Sequence, residues 1–290
     1  MAELRELVAE ELAAPVDPRV KAMAKAIAAK HGKASRAVLF YGSCLRQDQL
    51  EGLMLDFYLV VSGYREAYGR SWLAAANRLV PPNVFYFEHR GLVAKYAVLS
   101  EADFERECGP DARSTSVVAR FAQPSRLVWS AGKGARERAV RAVGQCAPTL
   151  LSWARPLARS NADIAELWKR AFQLTFGAEL RAERTDRSAS IVDADPERYR
   201  RFGAAAHVAA DLPGGDGARW WRRMQRKGKV LSVLRLAKAS ATFAGGAEYI
   251  AWKINRHAGT KIELRPWQRR HPLLAGITLL PRLLKSGAVR

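Results

Sequence analysis

The stretch that most constrains the fold is residues 36–62, RAVLFYGSCLRQDQLEGLMLDFYLVVS. Its two apolar runs predict buried strands over residues 37–41 and 54–61, joined by a turn at Gly42-Ser43 and a polar loop. The second strand carries one carboxylate, Asp56, among apolar neighbours. Because a buried, unpaired carboxylate is strongly unfavourable, we expect Asp56 to lie at an open end of the sheet and to face a cation.

The Gly42-Ser43 turn suggests a function for the Asp56 carboxylate. Its backbone N–H groups and hydroxyl suit a phosphate, and a phosphate beside a metal ion suggests nucleotidyl transfer. In the nucleotidyltransferase fold, a Gly-Ser turn precedes a strand with the pattern Asp-x-Asp, whose alternate side chains share one face. Here Tyr58 takes the place of the second acid. The alternative is an ordinary turn followed by an Asp that caps a strand end.

The single-Asp pattern resembles one family in particular. Gly42-Ser43, a Gln shortly after it and the MLDF of residues 54–57 resemble the mitochondrial-type phosphatidate cytidylyltransferases, which make CDP-diacylglycerol. The later stretch PPNVFYFEHRGLVAKYAVLS is similar to the family's Pro-Pro-Asn-Val and Lys-Tyr-Gly-Val segments, with Ala97 in place of Gly. The resemblance implies that Lys95 contacts the triphosphate. A strand-edge lysine whose stem covers apolar surface is the alternative.

Further blocks follow in family order. FAQPSRLVW resembles the family's Gly-Arg-Leu-x-Lys-Pro-Val segment, with Arg126 at the Arg position and no Lys after it. FGAELRAE resembles Gly-Asp-Ile-Arg-Met, so Glu179 lies where the family has Asp and could supply the carboxylate that Tyr58 lacks. An interdomain salt bridge for Arg126 and a solvated helix surface for Glu179 are the alternatives.

The order of elements predicts the fold class. After the second strand, residues 64–79 have the length of a crossover helix, residues 83–88 and 92–100 predict a strand pair, and residues 101–116 form a polar link. From Lys133 onward the pattern is helical. We therefore predict an α+β fold, with a nucleotidyltransferase-like mixed-sheet domain over residues 1–131 and an all-helical domain over residues 132–290.

The charge is unevenly distributed along the 290 residues. Residues 1–131 contain 17 Lys/Arg and 15 Asp/Glu, whereas residues 132–290 contain 31 and 13, which accounts for most of the net charge of +20. This excess requires an anionic partner. In the stretch ARWWRRM, Trp220, Trp221 and Met224 alternate with arginines, a pattern that predicts rings at headgroup depth and cations on lipid phosphates. A solvated helix face over an aromatic core stripe is the alternative.

The remaining composition indicates the compartment. The three cysteines are far apart without metal-type spacing, which favours a reducing cytosol. The N-terminal residues do not resemble a secretory signal or a mitochondrial presequence, and the longest apolar run, residues 273–280, is too short to span a bilayer. We expect a cytoplasmic protein, peripheral on the inner face of the cytoplasmic membrane, with a C-terminal amphipathic tail that could lie in the interface or pack on the body.

The resemblance implies a complete reaction and site. CTP and phosphatidate would give CDP-diacylglycerol and pyrophosphate, a step of phospholipid and cardiolipin biosynthesis. Asp56 and Glu179 would hold Mg²⁺, Gly42 and Ser43 would cradle phosphate oxygens, Lys95 and Arg126 would neutralise the leaving pyrophosphate, and Tyr58 would adjoin the nucleotide. The alternatives are a nucleotidyltransferase acting on RNA, although no RNA-binding module is recognisable, and a non-catalytic nucleotide-binding scaffold.

Overall fold

The computed structural model describes residues 2–46, 50, 52–159, 161–178, 187–206 and 216–242. Glu179 and the predicted C-terminal tail lie outside these residues. Among the residues that the structure describes, no helix combines the length and apolar content needed to cross a membrane.

A five-stranded mixed sheet forms the centre of the molecule. Its strands are β1 (Ser35–Tyr41), β2 (Met54–Val61), β3 (Asn83–His89), β4 (Leu92–Ser100) and β5 (Ser125–Ser130). Their order across the sheet is β3-β4-β2-β1-β5. β2 runs parallel to β4, and the other neighbouring pairs are antiparallel. The predicted α+β class with a mixed sheet is therefore confirmed.

Helices surround the sheet. Those before and between the strands are α1 (Ala2–Ala13), α2 (Pro18–His31), α3 (Tyr64–Ala67), α4 (Ser71–Leu79), α5 (Glu101–Cys108) and α6 (Thr115–Phe121). Those after β5 are α7 (Lys133–Gly144), α8 (Cys146–Ala154), α9 (Ile164–Phe176), α10 (Arg187–Asp193), α11 (Pro196–Ala205) and α12 (Gly217–Thr242). Every regular element described after residue 132 is helical.

Both faces of the central strands are covered, which explains their nearly continuous apolar sequences. Alternate residues of β2 point to opposite faces. Tyr58 and Val60 lie in a large core cluster together with residues of α1, whereas Phe57 and Leu59 lie in a second cluster beneath α2.

Local sequence determines where α2 begins and ends. Asp17 accepts a hydrogen bond from the backbone N–H of Arg19 at 2.7 Å, and Pro18 occupies the first turn. Both features favour a helix start. Gly32, with φ of 54°, ends the helix in a conformation that favours glycine.

Three sequence expectations differ from the structure. The predicted crossover helix is two helices, α3 and α4. The predicted polar link contains α5, because Ser100 accepts a hydrogen bond from the backbone N–H of Asp103 at 3.1 Å and caps the helix. The segment around Arg126, for which the sequence predicted no strand, forms β5 on the edge of the sheet.

The large core cluster crosses the predicted domain boundary at residue 131. It includes Val60 and Phe104 on one side and Val140, Leu150 and Trp168 on the other. The described parts of the two segments therefore share one hydrophobic core.

A buried ion pair also joins the two segments. Arg198 of α11 is 8% exposed, and its guanidinium donates through Nε and Nη2 to the carboxylate of Glu11 in α1 and through Nη1 to the carbonyl of Ala122 at 3.0 Å. Glu11 also accepts a longer hydrogen bond, 3.4 Å, from the backbone N–H of Ser125. The pair thus connects α1, α11 and the start of β5.

Glu11→Gln should strongly destabilise the protein. The substitution leaves the charge of Arg198 buried without its carboxylate, which typically costs about 3–5 kcal/mol. Glu197→Gln is the matched control, because Glu197 forms an exposed ion pair with Arg200 on the same helix, where little change is expected. Urea unfolding measures both variants, and equal small effects would contradict the structural role of the buried pair.

Candidate functional site

The Gly42 turn is packed directly against Asp56. β1 ends at Tyr41, which is paired across the sheet with Asp56, so the turn begins beside that carboxylate. Gly42 has φ of 97°, and a Cβ at this position would lie 2.9 Å from Oδ2 of Asp56. Only glycine combines this backbone conformation with so close an approach. Ser43 follows, exposed, at the start of a short 3-10 turn, Ser43–Arg46.

Asp56 faces Lys95. The two residues are directly paired in the parallel register of β2 and β4, and Nζ of Lys95 lies 3.0 Å from Oδ1 of Asp56. The side chain of Asp56 is 18% exposed and that of Lys95 is 27% exposed. The pair is therefore partly screened from water and still reachable by a ligand. Asp56, which interrupts the apolar sequence of β2, is thus paired with Lys95, which interrupts that of β4.

Tyr41 extends the site on the other side of Asp56. Burial, and then the charge of Asp56, raise the pKa of Tyr41 well above its ordinary value, while Arg120 and Lys95 act in the opposite direction. The phenol therefore stays neutral, and it lies within electrostatic reach of both cations.

Arg120 of α6 is a residue that sequence reasoning missed. Its Nη1 donates to the carbonyl and to the hydroxyl of Ser116, both at 2.8 Å. In the sequence, Arg120 is only an arginine between two apolar residues, Ala119 and Phe121, which are buried in the structure. No motif distinguishes that arrangement from an ordinary helix.

Cys44, the residue after Ser43, is not suited to act as a nucleophile. It is buried and donates to the carbonyl of Met54 at 3.5 Å. Burial, and then the charge of Asp56, raise its pKa. The side chain therefore remains a thiol at neutral pH, not the reactive thiolate.

Tyr58 and Arg126 are the other predicted site residues among those that the structure describes. Tyr58 is 2% exposed, and its ring packs against Tyr41 and Phe121 with centroid distances of 5.4 and 5.3 Å. Arg126 is paired with Phe40 in β5.

The guanidinium of Arg126 interacts with another part of the fold. It donates from Nη1 to the carbonyl of Ser125 at 2.9 Å. Burial lowers its pKa, Glu11 raises it and Arg198 lowers it. Among the described residues, neither Asp56 nor Lys95 is one of these partners of Arg126. The structure thus brings together Gly42, Asp56 and Lys95, with Ser43 beside them.

The described oxygen ligands of the site suit magnesium only when a nucleotide supplies further ligands. In the part of the chain that the structure describes, no group of three or more His, Cys, Asp or Glu side chains could hold a metal ion. Asp56 and the Ser43 hydroxyl offer hard oxygen ligands, and Mg²⁺ in nucleotide sites is often held by one or two carboxylates plus the substrate's phosphates. The residues therefore fit magnesium that arrives with a nucleotide.

Comparisons with known proteins do not add to this geometry. Neither protein-family models nor curated proteins gave a match to the chain. The assignment of function therefore rests on the residues and their arrangement.

The basic helix α12 has two distinct faces. Trp221 is 2% exposed and its Nε1 donates to the carbonyl of Trp153 at 2.7 Å, while the ring of Trp220 lies 5.2 Å from that of Trp153. The prediction that both rings insert at lipid headgroup depth is therefore wrong for Trp221, a core residue, and Trp220 packs beside it. Sequence showed the alternation of rings and cations but not which side of the helix was buried.

The outer side of α12 carries the positive charge. We define the basic face as the exposed cations Arg222, Arg223, Arg226, Lys227 and Lys229. Val230 and Leu234, 59% and 45% exposed, adjoin this face. This surface therefore combines cations with exposed apolar side chains.

Gly42→Ala should destabilise the protein more than Gly52→Ala. Both glycines have positive φ, 97° and 71°, so alanine is strained at each by about 1–2 kcal/mol. At Gly42 the new Cβ also meets the Asp56 carboxylate, whereas at Gly52 nothing lies within 4 Å. The difference between the urea unfolding midpoints of the two variants measures the cost of the contact between the new Cβ and Asp56. Equal losses would show that the turn can move away from Asp56.

Proposed function

We propose that the protein is a magnesium-dependent nucleotidyltransferase of the phosphatidate cytidylyltransferase type, which converts CTP and phosphatidate to CDP-diacylglycerol and pyrophosphate. One observation carries the proposal: the glycine turn approaches a strand carboxylate that is paired in register with a lysine. The mixed sheet, in which a strand-turn-strand unit is joined to a parallel strand, is compatible with a nucleotidyltransferase-like fold.

Each residue would contact the part of the substrate or metal that its charge and polarity suit. The turn at Gly42 and the hydroxyl of Ser43 would contact phosphate oxygens. Asp56 would hold magnesium, with Glu179 as a further candidate ligand. Magnesium, when bound, supplies positive charge to the triphosphate. Lys95 would stabilise the negative charge of the departing pyrophosphate.

The Asp56–Lys95 ion pair gives Lys95 a partner when no nucleotide is bound. An anionic phosphate offers the ammonium an equivalent partner, so Lys95 could turn to the ligand while Asp56 turns to the metal. The exchange keeps both charges compensated, which matters because an uncompensated, partly buried charge is costly.

No general base is required in this reaction. The phosphate of phosphatidate is already anionic at neutral pH and can attack the α-phosphorus of CTP directly. Accordingly, the titratable groups nearest Asp56 need not accept a proton. Tyr41 and Cys44 have raised pKa values and stay protonated.

The membrane would be contacted by the basic face of α12. Each cation near an anionic bilayer contributes about 1 kcal/mol, so the basic face could hold the protein peripherally. The location that follows is the cytoplasmic side of the membrane, where phosphatidate would be met in the bilayer surface.

The second candidate is a non-catalytic nucleotide-binding scaffold. It is favoured by the neutralisation of Asp56 by Lys95 and by the lack of a three-ligand group among the described residues. Such a protein would bind nucleotide phosphates without turnover.

Asp56→Asn should abolish cytidylyl transfer. The purified protein is incubated with each nucleoside triphosphate, Mg²⁺ and phosphatidate, and the lipid products are analysed. The wild type should form CDP-diacylglycerol, and the variant should lose at least about a hundredfold in rate, as expected for a lost charged contact. Asp193→Asn, which removes an exposed partner of Lys169, is the matched control and should keep full activity.

The outcomes separate the two candidates. Near-full activity of Asp56→Asn would remove this residue from the site. Binding of CTP by the wild type in calorimetry, without any lipid product, would favour the scaffold.

Neutralising the basic face of α12 should weaken liposome binding more than CTP binding. The fourfold variant replaces Arg222, Arg223, Arg226 and Lys227 by Gln, and flotation with phosphatidate-containing liposomes measures the loss. The matched control replaces four exposed cations elsewhere: Arg5, Lys21, Lys25 and Lys33. Equal losses of liposome and CTP binding would make the basic face structural, and salt-dependent gel shifts with RNA would instead favour a nucleic-acid substrate.

A further inference from the structure

Four large apolar side chains are exposed among the residues that the structure describes, and they belong to only two helices. Trp72 and Leu79 of α4 are 47% and 78% exposed, and the other two are Val230 and Leu234 of α12. Trp72 and Leu79 are seven residues apart, which is close to two helical turns, so they lie on the same side of α4. Ala75, between them in the chain, is also exposed. We call these three residues the apolar side of α4.

The opposite side of α4 is fixed to the sheet by polar contacts. Asn77 is buried and donates from Nδ2 to the carbonyl of Val98 at 3.0 Å, and its Oδ1 accepts from the backbone N–H of Asn83. The side chain of Asn83 donates in turn to the carbonyl of Leu73 at 3.0 Å. These hydrogen bonds hold the helix in one orientation, so its apolar side cannot turn inward without breaking them.

Helix α12 contacts the segment that follows α4. Nε of Arg235 donates to the carbonyl of Pro81 at 2.7 Å, and Nζ of Lys238 donates to the carbonyl of Val80, the residue directly after α4. Leu234 precedes Lys238 by four residues, so it lies one turn earlier and about 40° around the helix. Leu234 is therefore close to the side of α12 that contacts the end of α4.

The ionised side chains of these two segments are cations. Residues 67–87 contain Arg70 and Arg78, both exposed, and no Asp or Glu. Residues 217–242 contain the basic face and likewise no Asp or Glu. Exposed apolar groups on positively charged segments are suited to a bilayer with anionic headgroups, because such a bilayer offers negative charge directly beside hydrocarbon.

The same side chains disfavour other occupants of this surface. In a symmetric dimer the same patch of both copies meets itself, so the cations of one copy would face the same cations of the other. A nucleic acid offers phosphates to the cations, but its backbone leaves exposed leucine and valine side chains in water. An anionic bilayer satisfies both the charged and the apolar groups.

We propose that Trp72 and Leu79, with the exposed apolar side chains of α12, insert into the headgroup region of an anionic bilayer. Arg70, Arg78 and the basic face then contact lipid phosphates. The inference rests on the membrane contact in the proposed function and not on cytidylyl transfer. It adds a second helix, located between β2 and β3, and it adds burial of apolar surface to the attraction between charges.

Vesicle binding tests the apolar contribution. The protein is sedimented with phosphatidylcholine vesicles that contain phosphatidylglycerol, an anionic lipid other than the proposed substrate. Trp72→Ser and Leu79→Ser should each weaken binding about tenfold, the scale of returning one large apolar side chain to water. Trp72→Phe and Leu79→Ile are the matched controls, which keep an apolar side chain and should bind like the wild type. Equal binding by the Ser variants and their controls would overturn the proposal.

A fluorophore at Leu79 gives a second measurement that does not depend on affinity. The three native cysteines are buried, so a thiol-reactive, environment-sensitive dye labels Leu79→Cys selectively. Its emission should shift to the blue with phosphatidylglycerol vesicles, and a nitroxide lipid should quench it. Glu197→Cys is the control on α11, at an exposed carboxylate, and should show neither effect. An unchanged emission at Leu79→Cys with bound vesicles would overturn the insertion of α4.

The other occupants give distinct results. A dimer in sedimentation velocity, or an RNA gel shift, that is lost in Leu79→Ser while vesicle binding is unchanged would overturn the proposal.

The outcome can be separated from that of the proposed function. Vesicle binding with the expected shift at Leu79→Cys, without formation of CDP-diacylglycerol by the wild type, keeps the bilayer surface and removes the transfer activity. Formation of CDP-diacylglycerol from detergent-dispersed phosphatidate, without any binding to phosphatidylglycerol vesicles, keeps the activity and removes the bilayer surface.

Discussion

The ion pair between Asp56 and Lys95 is the constraint on which the sheet and the candidate site both depend. Two charges interrupt the apolar sequences of neighbouring parallel strands, and either one alone would be costly to bury. Because they are directly paired, each compensates the other only in the observed register. A slip of one residue would turn one strand's side chains to the opposite face and separate the charges. The pair therefore specifies the strand alignment as well as the chemistry of the site.

The sequence predicted best where local pattern determines structure. The apolar strands β1, β2 and β4 follow from their composition, and Asp56 and Lys95 were identifiable because each breaks such a strand. Their contact needed the register, which is a long-range property. β5 was missed because its partner β1 lies some 90 residues earlier in the chain. Arg120 and Arg235 share no motif, since only the docking of α12 on α6 brings them together.

The misjudged tryptophans show the same limit. A helix that alternates aromatic and basic residues can bury its rings in a protein core or in a lipid surface, and composition is identical in both cases. The hydrogen bond from Trp221 to the carbonyl of Trp153 places that ring in the core. The positive charge of α12 remains exposed because the opposite face, which carries the rings, docks the helix on the core.

The two sides of α12 give the helix two separate sets of contacts. Arg226 of the basic face and Arg235 are nine residues apart, which is two and a half helical turns at about 3.6 residues per turn. They therefore point to opposite sides of one rigid 26-residue helix. The cations of the basic face can therefore contact an outside surface while Arg235 keeps its hydrogen bonds to the hydroxyls of Ser114 and Ser116. Nine residues also advance the helix by about 13.5 Å along its axis, so the two sets of contacts are offset lengthwise as well as across the helix diameter of about 10–12 Å.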